Sequence, residues 1–259
     1  ADLSEFDKYL NFYKYKFNND KNELGGYAIL KNKNTIIAMD IGSTPDKKYS
    51  ENYQSGTLSF EVIHKGKKLI CNSGYFQNQN HKLNYISKLS AAHSTLILNN
   101  KSASTFKKKS GYYILDNGLK SLQKNIIYEK NFWCINGSHN GYLTKYGIIH
   151  DRTIEFYPES NKFVGKDKLI KKKNFIPSSF EIRFHLMPDS KVTKTQDNQA
   201  ILIEIENSGW RFYSNNFLIG VETGLYFGKK NNYSENQNIF ISGNTEKEDQ
   251  IIEWEISKI

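Results

Sequence analysis

A chain of 259 residues has room for one large β domain or two ordinary ones, and for a substantial buried core. Aromatic residues make up 14% of it, which excludes wholesale disorder, and no apolar run approaches the length of a membrane-spanning helix. The formal charge of +9 suits an anionic partner, yet lysine supplies 33 of the 36 basic residues and is spread along a chain with 29 asparagines, so compositional drift explains the charge as well as a binding face does.

The first residues, ADLSEFDKYL, have no basic or apolar stretch of the kind that opens a secretory signal, so they read as the start of a mature form or of a fragment. Phe6, Tyr9, Leu10 and Tyr13 recur at helical spacing and predict a helix over Leu3–Asn18. Asp20–Leu24 reads as a linker into Gly25-Gly26-Tyr27, giving a junction segment over residues 1–24 and one domain over 25–259. From there the periodicity is that of strands. Strands are expected at Thr57–His64, Lys68–Asn72, Ser94–Leu98, Tyr146–Tyr157, Phe180–Leu186, Ala200–Glu206, Trp210–Tyr213, Ile239–Ser242 and Ile251–Ile256. Turns are expected at Asn117-Gly118, Asn136-Gly137, Asn140-Gly141 and Ser208-Gly209. Lys107–Lys109 and Lys171–Lys173 read as solvated loops or an anion-binding rim. Many strands without helical alternation predict an all-β fold, a large two-layer antiparallel β-sandwich of the supersandwich type, with the short N-terminal helical or irregular segment attached.

Cys71 and Cys134 lie in apolar runs outside any Cys-x-x-Cys pattern, so buried free thiols are expected, with a disulfide left open. His64 is expected at an exposed turn, His81 in an exposed loop, and His185 on a sheet face with its hydrogen bonds satisfied. His139 and His150 flank a hairpin-like stretch and are either structural or cleft-lining. His93 sits among small residues, Ser90-Ala91-Ala92-His93-Ser94-Thr95, with room beside the ring for a ligand or a metal. No Gly-x-Ser-x-Gly, phosphate-binding loop, His-Glu-x-x-His or nucleic-acid recognition motif is present.

Several segments in order carry a resemblance. They are Gly56-Thr57-Leu58-Ser59-Phe60-Glu61, Leu69-Ile70-Cys71-Asn72-Ser73-Gly74, Ala91-Ala92-His93-Ser94-Thr95-Leu96, Ser138-His139-Asn140-Gly141-Tyr142, His150-Asp151-Arg152, Arg183–Pro188 and Gly209-Trp210-Arg211-Phe212. Together they resemble the C-terminal β-domain of bacterial heparinase II/III-like proteins of the alphaproteobacterial type, from about Gly25 to the end. The resemblance implies a polysaccharide lyase that pairs an N-terminal α/α toroid with this sandwich, often in the periplasm or cell envelope. Its chemistry would be β-elimination on an acidic, uronate-containing polysaccharide such as a glycosaminoglycan. A donor or cation neutralises the carboxylate, a base takes the C5 proton and an acid protonates the leaving oxygen. The main catalytic groups would lie on the toroid, outside this chain, so the chain alone is expected to be inactive.

The resemblance maps a His-x-His pattern onto Asn52-Tyr53-Gln54, and a metal site onto Gln54, Asn72 and His93. Two neutral amides there replace a histidine and a carboxylate, so a zinc site is disfavoured and a hydrogen-bonded cluster bracing the loops is expected instead. Asn52 and His93 remain as catalytic candidates, and Lys88, Asn52 and His139 as substrate-binding ones. The alternative is a non-catalytic module that binds acidic carbohydrate. Nucleic acid is not expected as a partner.

Overall fold

The computed structural model describes residues 22–229 and 232–259 together with Lys8 and Phe12. The helix expected over Leu3–Asn18 therefore lies, those two residues apart, outside the described residues. In chain order the strands are β1 (Glu23–Leu24), β2 (Tyr27–Lys31), β3 (Thr35–Asp40), β4 (Phe60–His64) and β5 (Lys67–Ile70), then helix α1 (Lys82–Lys88). There follow β6 (Leu96–Leu98), β7 (Thr105–Lys109), β8 (Tyr112–Asn117), β9 (Ser121–Tyr128) and β10 (Trp133–His139), then α2 (Leu143–Tyr146). The remainder is β11 (Ile148–Tyr157), β12 (Lys162–Lys171), β13 (Ser179–His185), β14 (Lys191–Lys194), β15 (Ala200–Ile205), β16 (Ser208–Ser214), β17 (Leu218–Lys229), β18 (Asn232–Asn244) and β19 (Gln250–Lys258). Every named pairing is antiparallel, as the strand spacing predicts.

One layer is an eight-stranded sheet in the order β14-β15-β16-β19-β12-β11-β10-β9. The facing layer is built from a five-stranded sheet, β1 to β5 in sequence, and a four-stranded sheet in the order β17-β18-β13-β6. A single bridge from Cys71 to His185 joins those two sheets edge to edge, with the Cys71 N–H donating to the His185 carbonyl (3.0 Å). In β11 and β12 burial alternates residue by residue, because successive side chains point to opposite faces. The inward faces meet in an aromatic seam. Phe60 stacks on Trp254 (5.4 Å), and Phe184 packs edge-on against both Trp254 (4.9 Å) and Phe212 (4.8 Å). Each such side chain contributes about 1.5–3 kcal/mol by leaving water.

Several expectations are corrected. Asn136-Gly137 is strand interior, not a turn: a Cβ on Gly137 would come within 2.8 Å of Leu58, so the glycine is there to let the two layers approach. The turn expected at Ser208-Gly209 falls at Glu206-Asn207, where Glu206 takes φ +52°. Glu23–Leu24 already pair with β2, so the sheet begins inside the segment read as a linker. Lys107–Lys109 end an exposed strand, with Lys107 paired to Asp116 (2.8 Å). His64 is buried rather than exposed: the turn is Lys65-Gly66, and the ring points inward to Thr35 Oγ1 (3.0 Å) and edge-on to Trp210 (5.1 Å). His81 is exposed, but it caps α1 by accepting from the Leu83 N–H (3.2 Å). Both cysteines are free and buried, and burial pushes the Cys71 thiol up to about 12. No helix among the described residues is long and apolar enough to cross a membrane.

Candidate functional site

A cleft of about 460 Å³ opens where β3, β4, the loop before β4 and the segment after β5 converge. Asn52, Gln54, Asn72 and His93 all line it, so the fold brings together four of the six candidates named from the sequence. The sequence reading missed Tyr27, Asp40, Tyr53, Glu61 and Tyr75, which complete the wall. Glu61 stands inside a quoted motif, but nothing in the sequence says that Asp40, at the end of an apolar strand, comes back beside it.

His93 is buried, and burial pushes its imidazole down to about 4, so the ring is neutral at pH 7. Its Nδ1–H donates to the Leu89 carbonyl (2.9 Å), which leaves the lone pair on Nε2. Gln54 Oε1 stands 3.3 Å from Nε2, so with the ring neutral and Nδ1 donating to Leu89 the pair forms a hydrogen bond only with the amide turned to present its NH₂ end. Asn72 accepts the Ser94 N–H on Oδ1 (2.9 Å), and its own backbone N–H donates to Glu61 Oε1 (3.2 Å). Lys68 neutralises Glu61 (2.8 Å). Asp40 accepts the Gly42 N–H (2.9 Å), yet burial pushes its carboxyl up to about 6. Burial also raises the Tyr53 hydroxyl to about 12, which keeps it a proton donor through the neutral range.

The zinc site implied by the resemblance does not fit these donors. Zinc favours several imidazole, thiolate or carboxylate ligands, and His93 Nε2 is the one good donor of the three mapped positions. Asn72 Oδ1 is already spent on Ser94. Among the described residues no three His, Cys, Asp or Glu side chains are grouped to hold a metal.

Lys88 and His139 do not line the cleft. Lys88 turns away from it, donating to the backbone carbonyls of Glu51 and, at 3.3 Å, Tyr53, and lying over the rings of Tyr75 (5.1 Å) and Phe106 (5.8 Å). It is 1% exposed, and burial pushes its ammonium down to about 8. Its work is to fix the loop that carries Asn52 and Gln54. His139 is buried beneath the eight-stranded sheet, accepting the Gly141 N–H (3.0 Å) and meeting His150 edge-on (5.3 Å). His185 is the satisfied histidine expected: Ser73 hydroxyl on Nδ1 and the Ala91 carbonyl on Nε2, both at 3.0 Å.

A buried ion pair holds the cleft loops from behind. Asp167 takes the Arg152 guanidinium on both oxygens (2.7 and 3.1 Å), with His150 (2.6 Å) and the Trp254 indole N–H (2.9 Å) completing its shell. The remaining Arg152 nitrogen donates to the Leu58 carbonyl (2.8 Å) and the Ser94 carbonyl (2.6 Å). Those two carbonyls belong to the loops on either side of His93, and Leu58 is held at φ +63°, a conformation costly for a branched side chain. Gly56 lies against the His93 ring: an added Cβ would sit 2.7 Å from Cδ2. Gly56→Ala is therefore expected to displace the ring from Gln54 at a cost of about 1–3 kcal/mol. Changed His93 ring ¹⁵N shifts together with a lowered urea midpoint check this; an unmoved ring contradicts it.

The family profile described as heparinase II/III-like, C-terminal, matches residues 20–255. Among solved structures, the heparan sulfate lyase HepC from Pedobacter heparinus superposes with a TM-score of 0.77 at 14% identity, covering 99% of this chain and 41% of that one. A heparinase III gives a TM-score of 0.69 at 18% identity, covering 92% of this chain and 36% of its own. A heparinase III with methylated lysines gives 0.74 at 14% identity, with 99% and 41% covered. At these identities the likeness is one of fold, and the chain spans about two fifths of the length of those lyases. No curated protein matches the sequence. With the profile covering nearly the whole chain and the same sandwich seen in the solved lyases, the protein belongs to the heparinase II/III-like family and is built as its C-terminal domain.

Proposed function

We propose that this chain is the sandwich half of a polysaccharide lyase that cleaves acidic, uronate-containing polysaccharide by β-elimination, with the main catalytic groups on an N-terminal α/α toroid outside the chain. The observation that carries the reading is the profile match over residues 20–255, which falls on a fold whose cleft gathers Asn52, Gln54, Asn72 and His93. In this reading the exposed Asn52 donates to the sugar carboxylate as enolate charge develops. His93 is a positioning residue, because its two ring nitrogens are engaged with Leu89 and Gln54. Tyr53 stays protonated in the cleft and can donate a hydrogen bond to the sugar, its raised pKa making it a weak acid. No step is routed through a metal.

A second reading, a binding module without catalysis, draws on one observation: the amides of Gln54 and Asn72 are engaged with the loops rather than presented to a substrate. A lyase assay separates the two. Heparin, heparan sulfate, chondroitin and alginate are offered to this chain and to the chain extended N-terminally through its toroid, with the unsaturated uronate followed by ultraviolet absorbance. Absorbance with the extended chain and none with the sandwich alone is the expected result, and Asn52→Ala in the extended chain is expected to lower kcat/KM about 10–100-fold. Binding without absorbance in a folded extended chain would favour the module.

A further inference from the structure

A second groove, of about 780 Å³, runs beside the cleft. The hydrogen-bonded serines Ser55, Ser90 and Ser104 stand between the two: Ser55 and Ser90 meet at 3.0 Å, and the Ser104 N–H donates to Ser55 Oγ (3.0 Å). The two cavities differ in charge. The cleft is lined by the carboxylates of Asp40 and Glu61 and by no lysine or arginine. The groove is lined by three exposed lysines, Lys47, Lys101 and Lys145, brought from three separate segments. Its one lining carboxylate, Asp116, is already paired with Lys107 (2.8 Å). Two successive left-handed residues, Asn99 (φ +46°) and Asn100 (φ +54°), turn the chain so that Lys101 reaches the groove. At the floor, Gly141 has the Ala103 carbonyl where its Cβ would be, 2.7 Å away, so that two loops close the groove.

We propose that this groove anchors the sulfate or carboxylate groups of the sugars flanking the one whose carboxylate meets Asn52 in the cleft. The proposal rests on the carbohydrate reading above and adds where the polymer's charge is held. In the cleft Glu61 is paired with Lys68 and Asp40 adds a carboxyl, with no lysine or arginine on the lining; in the groove a sulfated or carboxylated ring meets three ammonium groups. The side-chain amide of Asn100 suits hydroxyls as donor and acceptor, while Asn117 donates to Thr105 (3.1 Å) and Asn140 keeps its NH₂ for a ligand after accepting the Lys120 N–H (2.7 Å). The groove lacks a row of exposed aromatic rings on which bases would stack, Tyr85 being packed against Tyr113 at 4.6 Å.

The test is a binding titration of the whole chain with a heparin-derived hexasaccharide at fixed salt, with a neutral dextran oligosaccharide and single-stranded DNA as comparisons. Lys47→Gln, Lys101→Gln and Lys145→Gln are combined in one variant, and Lys33→Gln, Lys65→Gln and Lys194→Gln in another that loses the same charge elsewhere. The groove variant is expected to bind the hexasaccharide about tenfold more weakly, with a shallower salt slope. The remote variant is expected to change by less than about threefold. Equal losses in both variants would mean bulk charge and overturn the proposal, as would no binding by the intact chain or tighter binding to DNA at matched salt. Cleavage is not read in this experiment, so an inactive lyase leaves its outcome intact.

Discussion

Arg152→Met is expected to lower folding stability by about 3–5 kcal/mol, the range for breaking one side of a buried ion pair. Against a total of about 5–15 kcal/mol for an ordinary domain, that is enough to leave the protein marginal. The reason is what remains behind. Asp167 is fully buried, and without the guanidinium its charge would rest on the His150 ring and the Trp254 indole N–H alone. The carbonyls of Leu58 and Ser94 lose their donor in the same step, and both flank the cleft. Urea unfolding measures the loss. Changing Arg152 and Asp167 together to Met and Leu is expected to cost less than Arg152→Met alone, because no orphaned charge is then left in the core. A single-variant loss under about 1 kcal/mol, within the range of an ordinary substitution, would mean that the pair does not brace the sandwich.

Acidification from pH 7 to pH 4 is expected to destabilise the fold by several kcal/mol, on the order of what His93 and His185 lose less what Asp40 returns. Burial holds the folded His93 at about 4 and His185 at about 3, both below the ordinary value of 6.5. The unfolded chain therefore takes up these protons first as pH falls. Their stabilisation is complete above pH 6.5 and is lost progressively below it, about 3 kcal/mol for each by pH 4. Asp40 runs the other way. Its folded carboxyl is raised to about 6, so the folded state gains the proton first, and about 2 kcal/mol returns between pH 6 and 4. His139 and His150, also held below the ordinary value by burial, act in the same direction as His93 and His185, which leaves a net loss. Asp40→Asn should raise stability at pH 7 and steepen the acid limb. A urea midpoint flat from pH 7 to 4, or steepened by nothing at Asp40, would show that these rings are not buried neutral.

The sheets were legible where apolar side chains alternate with polar ones. β11 was read as a strand from its Thr153-Ile154-Glu155-Phe156 alternation, whereas β12, whose buried face carries Gly165 and Asp167 between Phe163 and Leu169, was not read as one. Glycine was misread at Gly137, because its reason is a contact with Leu58, 79 positions earlier in the chain. Helix α1 was missed for a different cause: seven residues are too few to establish a helical period. In the site, Gln54, Asn72 and His93 were placed together by the resemblance, and the fold brings them to one cleft. The direction of Lys88 was not legible. A lysine at a helix end can reach solvent or turn to backbone, and only the position of Glu51 and Tyr53 decides it. Asp40 was invisible for the same reason: its altered carboxyl is made by burial from residues distant in sequence.

The place of β19 bears on how the chain acquires its structure during synthesis. It is made last of the strands, yet it lies in the middle of the eight-stranded sheet, between β16 and β12. A nascent chain that has emerged only as far as β18 holds β14–β16 and β9–β12 as two pieces with open edges, each side presenting unpaired backbone and apolar Phe212 or Phe163. Closure waits for Gln250–Lys258, and the interval before it is the one in which edge-to-edge association competes. Truncation before Gln250 should accordingly yield a protease-sensitive, self-associating chain rather than a smaller stable sandwich, and limited proteolysis with light scattering measures whether it does.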